Sequence, residues 1–132
     1  MDFFRYIEQQ TNKIEESYRK TRENITAYEA QGTEAIVTLK EFADILGIEE
    51  PNISYASYLF CSPVLYFDTR EKTSGDILTL INKHGYLHSN SNTNEERFSC
   101  LFKSQYIIVD KTDGGYTRVG IRMPKFENFL NI

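Results

Sequence analysis

The longest pattern in the sequence is a stripe of apolar and neutral residues near the amino terminus, spaced by alternating steps of three and four. The other positions between residues 3 and 30 are mostly charged or polar, and the first glycine is Gly32. This spacing, kept for nearly four heptads, predicts one long amphipathic helix. The stripe consists of Phe4, Ile7, Thr11, Ile14, Tyr18, Thr21, Ile25 and Tyr28.

The stripe has two interpretations. It occupies the a and d positions of a heptad repeat, which predicts a coiled coil that joins two copies of the chain. An amphipathic helix folded back on its own domain would show the same pattern. The two threonines of the stripe weaken the coiled-coil interpretation, because they are less apolar than the other stripe residues. Both interpretations stay open at this point. The candidate dimerisation residues are Phe4, Ile7, Ile14, Tyr18, Ile25 and Tyr28.

A second helix is predicted over residues 37–48, which read VTLKEFADILGI. Gly32 is expected to end the first helix. Thr38 then serves as an N-cap, with Glu41 three residues later completing a capping box, and Gly47 ends the segment. A short capped helix of this kind is typical of the first helix of a helix-turn-helix.

The middle of the chain is less regular. Residues 53–67 are almost wholly apolar or aromatic and are divided by Pro63. A short apolar run does not distinguish a helix from a strand, so a helix over 53–61 and a strand over 64–67 stay open. A helix is predicted over 75–84, with Thr73 or Ser74 as its N-cap and Gly85 as its end.

The last third of the chain predicts a helix followed by a two-stranded ribbon. Residues 95–102 are expected to be helical, with their apolar side chains inward. Residues 104–111 and 116–123 are rich in β-branched and aromatic residues, and the Asp-Gly-Gly sequence between them predicts a tight turn. Alternation places Val119 and Ile121 on one face of the second strand, and Arg118 and Arg122 on the other.

Together these elements predict an α+β fold. A long N-terminal amphipathic helix is followed by a winged-helix-like domain with a C-terminal β-hairpin. Residues 1–32 form the helical arm and residues 33–132 form the domain.

Charge and composition narrow the function. The formal net charge of −4 argues against a general nucleic-acid coat protein, which would be basic. Residues 1–50 hold eleven acidic and six basic residues, so an anionic partner should meet the rest of the chain. No signal sequence or apolar run long enough for a membrane span is visible, and two cysteines make no disulfide framework. A cytoplasmic protein is expected, without membrane association.

No catalytic or metal-binding motif emerges from the sequence. His84 and His88 lie four residues apart, but Cys61 and Cys100 are far from them and no metal-ligand spacing is present. There is no nucleophile elbow, and Gly114-Gly115 is not followed by the Lys-Ser/Thr of a phosphate loop. We therefore expect a protein that is not an enzyme and that uses no cofactor.

The candidate contacts to double-stranded DNA are basic residues between positions 51 and 132, together with one tyrosine. Arginines on an exposed ribbon face could enter a minor groove, where the negative potential favours them. A solvated charged face is the alternative interpretation, because acidic residues are interspersed. The candidate DNA-binding residues are Lys83, Arg97, Lys103, Lys111, Tyr116, Arg118 and Arg122.

Two segments resemble the carboxy-terminal domain of phage antirepressors, the family called KilAC. The segment that contains Glu41, Phe42 and Gly47 is similar to a capped helix of that family, and the segment LTLINKHGYLHS is similar to a second helix and its exit. The segment between these motifs is longer than in the family. The resemblance implies a phage or prophage regulatory protein, acting in a bacterial host cell, that binds DNA or a repressor.

Two hypotheses of function follow. The first is a dimeric regulator that binds DNA through the winged-helix-like domain. The alternative is a non-enzymatic protein-binding inhibitor or antirepressor that acts on a regulatory or defence protein.

Overall fold

The computed structural model describes residues 2–57, 62–86, 88–90 and 97–126. These residues form two helices and six strands, which confirms the predicted α+β class and the long amino-terminal helix. The elements in chain order are α1 (Phe3–Ile45), β1 (Ser54–Ala56), β2 (Val64–Thr69), α2 (Ser74–His84), β3 (His88–Asn90), β4 (Arg97–Phe102), β5 (Gln105–Lys111) and β6 (Thr117–Arg122).

The six strands form one antiparallel sheet in the order β1-β2-β6-β5-β4-β3. Side chains of a strand alternate between the two faces, so each strand contributes every second residue to the core. In β4, for example, Phe98, Cys100 and Phe102 are buried, whereas Ser99 and Leu101 are only partly buried. One face of the sheet is therefore apolar and the other is mixed.

Both helices pack on the apolar face of the sheet. Phe42 of α1, Ile77 of α2 and Val119 of β6 belong to one continuous buried cluster, and Phe42 contacts Phe102 edge to face with ring centroids 5.3 Å apart. The described part of the chain places no helix on the opposite face, which we call the open face.

Helix α1 does not end at Gly32, in contrast to the prediction. It continues to Ile45, and Gly47 with φ of 76° terminates it, as predicted. A glycine inside a helix costs about 1 kcal/mol, but Ala35, Leu39 and Phe42 become fully buried beyond it. Burying side chains of this size is worth more than that cost. The arm and the packed segment are consequently one helix that runs through position 32.

Thr38 is also not an N-cap. It lies inside α1, where its Oγ1 donates a hydrogen bond to the carbonyl oxygen of Glu34 at 2.9 Å. The same oxygen accepts a hydrogen bond from Gln105 of β5 at 3.1 Å. The capping-box sequence therefore belongs to a helix interior that is fastened to the sheet.

The helix predicted over residues 95–102 is wrong for its described part, because residues 97–102 form strand β4. The turn to β5 consists of Lys103 and Ser104, with φ of 50° and 66°. Such a turn usually carries Asn or Gly, so the sequence lacked the hairpin signal there. The winged-helix outline places a helix directly before the ribbon, and β4 occupies that place.

The middle segment contains strands rather than a helix in its described residues. β1 and β2 pair antiparallel, and residues 58–61 lie outside the described part. The prediction for α2 is confirmed: Thr73 is the N-cap, Asp76 completes a capping box, and Gly85 follows the helix with φ of 76°. The apolar spacing of Phe126, Phe129 and Leu130 also predicts a short closing helix, which lies outside the described residues except for Phe126.

Strands β5 and β6 are antiparallel neighbours, joined through residues 112–116. The Gly115 N–H donates to the Thr112 carbonyl oxygen at 3.1 Å, and φ of Gly115 is 80°. Val119 and Ile121 are buried, whereas Arg118 and Arg122 lie on the open face. The faces predicted for this strand are thus confirmed.

Candidate interaction surfaces

The first candidate surface is the part of the predicted helical arm that carries the stripe, residues 3–28 of α1, and we restrict the name arm to these residues. None of residues 3–34 is buried, and the first core residue of the helix is Ala35. Phe4 is 79% exposed, Ile14 is 58% exposed and Tyr18 is 70% exposed. Only Tyr28, at the end of the arm, packs against the core cluster. The interpretation as a helix folded back on its own domain therefore fails for most of the arm.

The two threonines of the stripe are less polar than the sequence suggests. The hydroxyl of Thr11 donates to the Ile7 carbonyl oxygen at 2.9 Å, and that of Thr21 donates to the Ser17 carbonyl oxygen at 2.9 Å. A hydroxyl that is satisfied within its own helix can be covered at a smaller cost. The stripe from Phe4 to Tyr28, which we call the seam, is therefore better suited to burial than two threonines imply.

An apolar groove lies at the root of the arm, where α1 meets the sheet. It is a cavity of about 420 Å³. Its walls come from α1 on one side and from β1, β2 and the end of β6 on the other. The groove is lined by Tyr28, Glu29, Gly32, Thr33, Ile36, Tyr55, Leu65 and Met123.

Tyr28 is the residue that the seam and the root groove share. Burial raises the pKa of its hydroxyl, and the nearby Tyr55 raises it further. Its ring also contacts Phe126 edge to face, with ring centroids 5.3 Å apart. The root of the arm is consequently an aromatic cluster that borders on solvent.

The second candidate surface is the open face, which carries a row of alternating charges across four strands. Arg97 of β4 stands opposite Asp110 of β5, Asp110 opposite Arg118 of β6, and Arg118 opposite Asp68 of β2. Arg118 binds both carboxylate oxygens of Asp68, at 2.9 and 3.1 Å. Opposite charges on facing strands favour this register, and they leave the row nearly neutral.

The charged row borders a depression of about 190 Å³. Its floor is Gly120, where an added Cβ would come within 2.8 Å of Val64 Cγ1 and 3.0 Å of the Leu65 carbonyl oxygen. A larger residue would push β2 and β6 apart, so the glycine is required for the close approach of these strands. Arg97, Arg118 and Arg122 all line the depression.

β5 and β6 separate beyond the depression. Their pairing ends at Ile108 opposite Gly120, although both strands continue. A cleft of about 740 Å³ lies there and reaches α1 at Gln31 and Glu34. Tyr106, which is 68% exposed, and Arg122 stand at this cleft.

The structure brings together three of the seven predicted DNA-binding residues, the arginines of the open face. Lys83 lies on α2, which packs on the other face of the sheet. Lys103 pairs with Glu41 of α1. Lys111 is exposed at the end of β5, and Tyr116 carries the Arg70 guanidinium 4.2 Å from its ring centroid. The seven residues do not form a continuous basic surface.

Sequence reasoning missed the residues of the open face that hold Arg118. Asp68 and Tyr66 lie on β2, and the Arg118 guanidinium is 3.9 Å from the Tyr66 ring centroid. The alternation in the β2 sequence VLYFDT was the available signal, since Leu65 and Phe67 point to one face and Tyr66 and Asp68 to the other. The pairing with β6 is a long-range contact that no local pattern shows.

The surroundings of His84, His88 and Cys100 bear on whether these residues could bind a metal ion or react. A His88 ring nitrogen lies 2.6 Å from Asn82 Oδ1, and the His84 ring lies tilted beside the Tyr86 ring with centroids 5.9 Å apart. Burial raises the pKa of the Cys100 thiol to about 11, so this thiol stays protonated at neutral pH. Among the residues that the structure describes, no group of three or more His, Cys, Asp or Glu is placed to hold a metal ion.

A helix that crosses a membrane must be both long and apolar. Neither α1 nor α2 meets both requirements.

Comparisons with protein-family models, with curated proteins and with solved structures gave no match for this chain. The resemblance to the phage antirepressor domain therefore stays a prediction.

Proposed function

We propose that this protein is a non-enzymatic, homodimeric regulator that binds another protein. The arm joins two copies, and each copy presents the open face of its sheet to the partner. The observation that carries the proposal is the exposed seam, because a stripe of large apolar side chains in water is stabilised when a second surface covers it.

The open face supports a protein partner better than DNA. Its tyrosines and arginines are residue types enriched in protein interfaces. Duplex DNA binding is driven largely by neutralisation of phosphates, which a row of matched charges serves poorly. Asp68 and Asp110 stand beside the arginines, and would repel a phosphate backbone.

The dimer is tested with a charge in the seam. Ile14→Asp should convert a dimer to a monomer, because a carboxylate buried at a d position is costly. Gln9→Asp is the matched control, since Gln9 is exposed and lies on the opposite side of the helix from the seam. The mass should be measured by light scattering at several concentrations. A wild-type protein that is monomeric at high concentration would contradict the proposal.

The open face is tested by site-specific photo-crosslinking in cells. A photoreactive residue at Tyr106 should capture one defined protein, and Arg122→Glu in the same chain should abolish that adduct. The control places the photoreactive residue at Lys83, on the helical side of the sheet. Equal capture at both positions would show that the partner protein does not bind specifically to the open face.

DNA binding is the second candidate function, and the clustering of Arg97, Arg118 and Arg122 in one depression favours it. Arg122→Ala should then weaken duplex binding and lower the slope of log affinity against log salt by about one unit for each phosphate that this arginine neutralises. Wild-type protein with no affinity for duplex DNA at low salt would exclude this candidate and leave the protein-binding proposal.

A further inference from the structure

The seam reads nearly the same in both directions along the arm. From the amino end it runs aromatic, Ile, Thr, Ile, and from the carboxyl end it runs aromatic, Ile, Thr, Tyr. A second arm that runs antiparallel, in the register where facing positions add to 32, therefore matches like with like in three of its four kinds of pair. Phe4 then faces the second copy's Tyr28, Ile7 faces Ile25, Thr11 faces Thr21, and Ile14 faces Tyr18.

The positions of the isoleucines disfavour the parallel two-stranded alternative. Ile7 and Ile14 occupy d positions, and two-stranded parallel coiled coils favour Leu at d and β-branched residues at a. In the antiparallel register each d residue meets an a residue of the other helix. That geometry removes the d-to-d contact in which isoleucine fits poorly.

Charges beside the seam point in the same direction. Glu8 and Arg22 each directly follow a seam residue and so flank the seam on the same side. In an antiparallel pair the same flanks face each other, and this register brings Glu8 near the second copy's Arg22, twice per dimer. A parallel pair would set Gln10 against Glu15 and Ser17 against Arg22, without an ion pair. One like-charged contact remains, between Glu15 of one copy and Glu15 of the second copy. It lies at the solvent-exposed rim, where salt screens it.

The ends of the arm fit this arrangement as well. Phe4 and Tyr28 are 24 residues apart, which is about 36 Å of helix. The tip of one arm therefore reaches the root of the other, where the apolar groove borders Tyr28. The tip carries Phe3 and Phe4, which are 61% and 79% exposed in a single copy.

We propose that two copies pair through antiparallel arms and that Phe3 and Phe4 of each copy dock at the root groove of the other. This inference rests on the proposed dimer and specifies its partner surface. It places the two sheets at opposite ends of a helical rod, so the two open faces lie far apart.

Cysteine pairs at one seam layer test the arrangement. Thr11→Cys and Thr21→Cys are made singly and together in a Cys61→Ser background, in which the remaining Cys100 is buried. The antiparallel register sets position 11 beside position 21 of the other copy, and leaves the two copies of position 11 about 15 Å apart. Mild oxidation should thus cross-link the double variant, and the mixture of the two single variants, but neither single variant alone.

The possible results separate the proposals. Cross-linking of either single variant alone would show parallel arms, which overturns the antiparallel inference and retains the dimer. A dimer that cross-links in none of these variants would also overturn it, because the register would be wrong. A monomer by light scattering would overturn both the inference and the proposed dimer.

Docking at the root groove is tested with a double-mutant cycle on the dimer dissociation constant. Phe4→Ala should raise that constant roughly tenfold or more, as expected when a large aromatic side chain loses its buried site. Tyr55→Ala changes a groove residue that is 57% exposed in a single copy. If Phe4 docks there, the double variant should be less affected than the product of the two single effects.

The matched control is Tyr6→Ala, which removes an aromatic ring that is 49% exposed and lies off the seam. It should change the dissociation constant by less than about threefold, in line with ordinary surface substitutions. Independent effects of Phe4→Ala and Tyr55→Ala, or an equally weakened dimer from Tyr6→Ala, would overturn docking of the tip at the groove.

Discussion

At the scale of single residues, the two neighbouring glycines of the β5–β6 turn have different roles. Gly115 has φ of 80°, a region that side chains other than glycine rarely adopt, whereas Gly114 does not have a positive φ. A Cβ on Gly114 would meet Tyr116 Cδ2 at 3.5 Å, an ordinary contact distance. Of these two glycines, Gly115 is therefore the one that needs a positive φ to form the turn predicted from the Asp-Gly-Gly sequence.

We predict that Gly115→Val destabilises the fold by about 1–2 kcal/mol, because a β-branched residue is strained at positive φ. Gly114→Ala is the control and should stay within about 0.5 kcal/mol of wild type. Urea denaturation of both variants measures the difference. Equal stability of the two variants would mean that Gly115 is not confined to this turn conformation.

Arg118 and Arg122 occupy equivalent positions on β6 but have different surroundings. Arg118 is held by Asp68 and stacked on Tyr66, whereas Arg122 is exposed beside the cleft. We predict that Arg118→Ala destabilises by roughly 1 kcal/mol, since a bidentate, partly buried pair exceeds an ordinary surface pair. Arg122→Ala should stay within about 0.5 kcal/mol. Chemical denaturation at low and high salt distinguishes them, and indistinguishable curves would contradict the assignment.

At the scale of elements, the β4–β5 hairpin contains backbone strain that the sequence did not reveal. Ser104 has φ of 66°, which costs about 1 kcal/mol for a residue with a Cβ. We predict that Ser104→Gly stabilises the protein by about 0.5–1 kcal/mol, because glycine adopts this conformation without strain.

Ser104→Ala is the control for this hairpin, since it keeps the Cβ and removes only the hydroxyl. It should be no more stable than wild type in thermal denaturation. If glycine and alanine gave the same melting temperature, the left-handed conformation of residue 104 would not be a source of strain.

At the scale of the whole molecule, the arm and the packed domain are energetically separable although one helix contains both. Residues 3–34 contribute no buried side chain, and the core cluster begins with Ala35. We predict that deletion of residues 2–20 leaves a protein that unfolds in a single cooperative transition, because its core is complete.

Calorimetry and circular dichroism of the deleted protein at low concentration test this prediction. The control is the full-length Ile14→Asp variant, which keeps the arm and should unfold at a similar temperature. A deleted protein without a cooperative transition would show that the arm takes part in the folding of each copy.

The sequence by itself determined the features that depend on local periodicity and on turn chemistry. These include the long amphipathic helix, the caps of α2, the end of α1 at Gly47 and the two faces of β6. Each follows from residues close together in the chain, where side-chain spacing and the conformational range of glycine act directly.

Only the tertiary structure decided the features that depend on distant residues. α1 passes through Gly32 because the sheet buries the helix beyond it, and β4 is a strand because β3 and β5 pair with it on both sides. The two arginines of β6 that were predicted to bind DNA have different surroundings. Asp68, fifty residues away in sequence, binds Arg118, whereas Arg122 faces the cleft. Long-range pairing and burial outweigh local propensity, and a single sequence does not show which distant residues will pair.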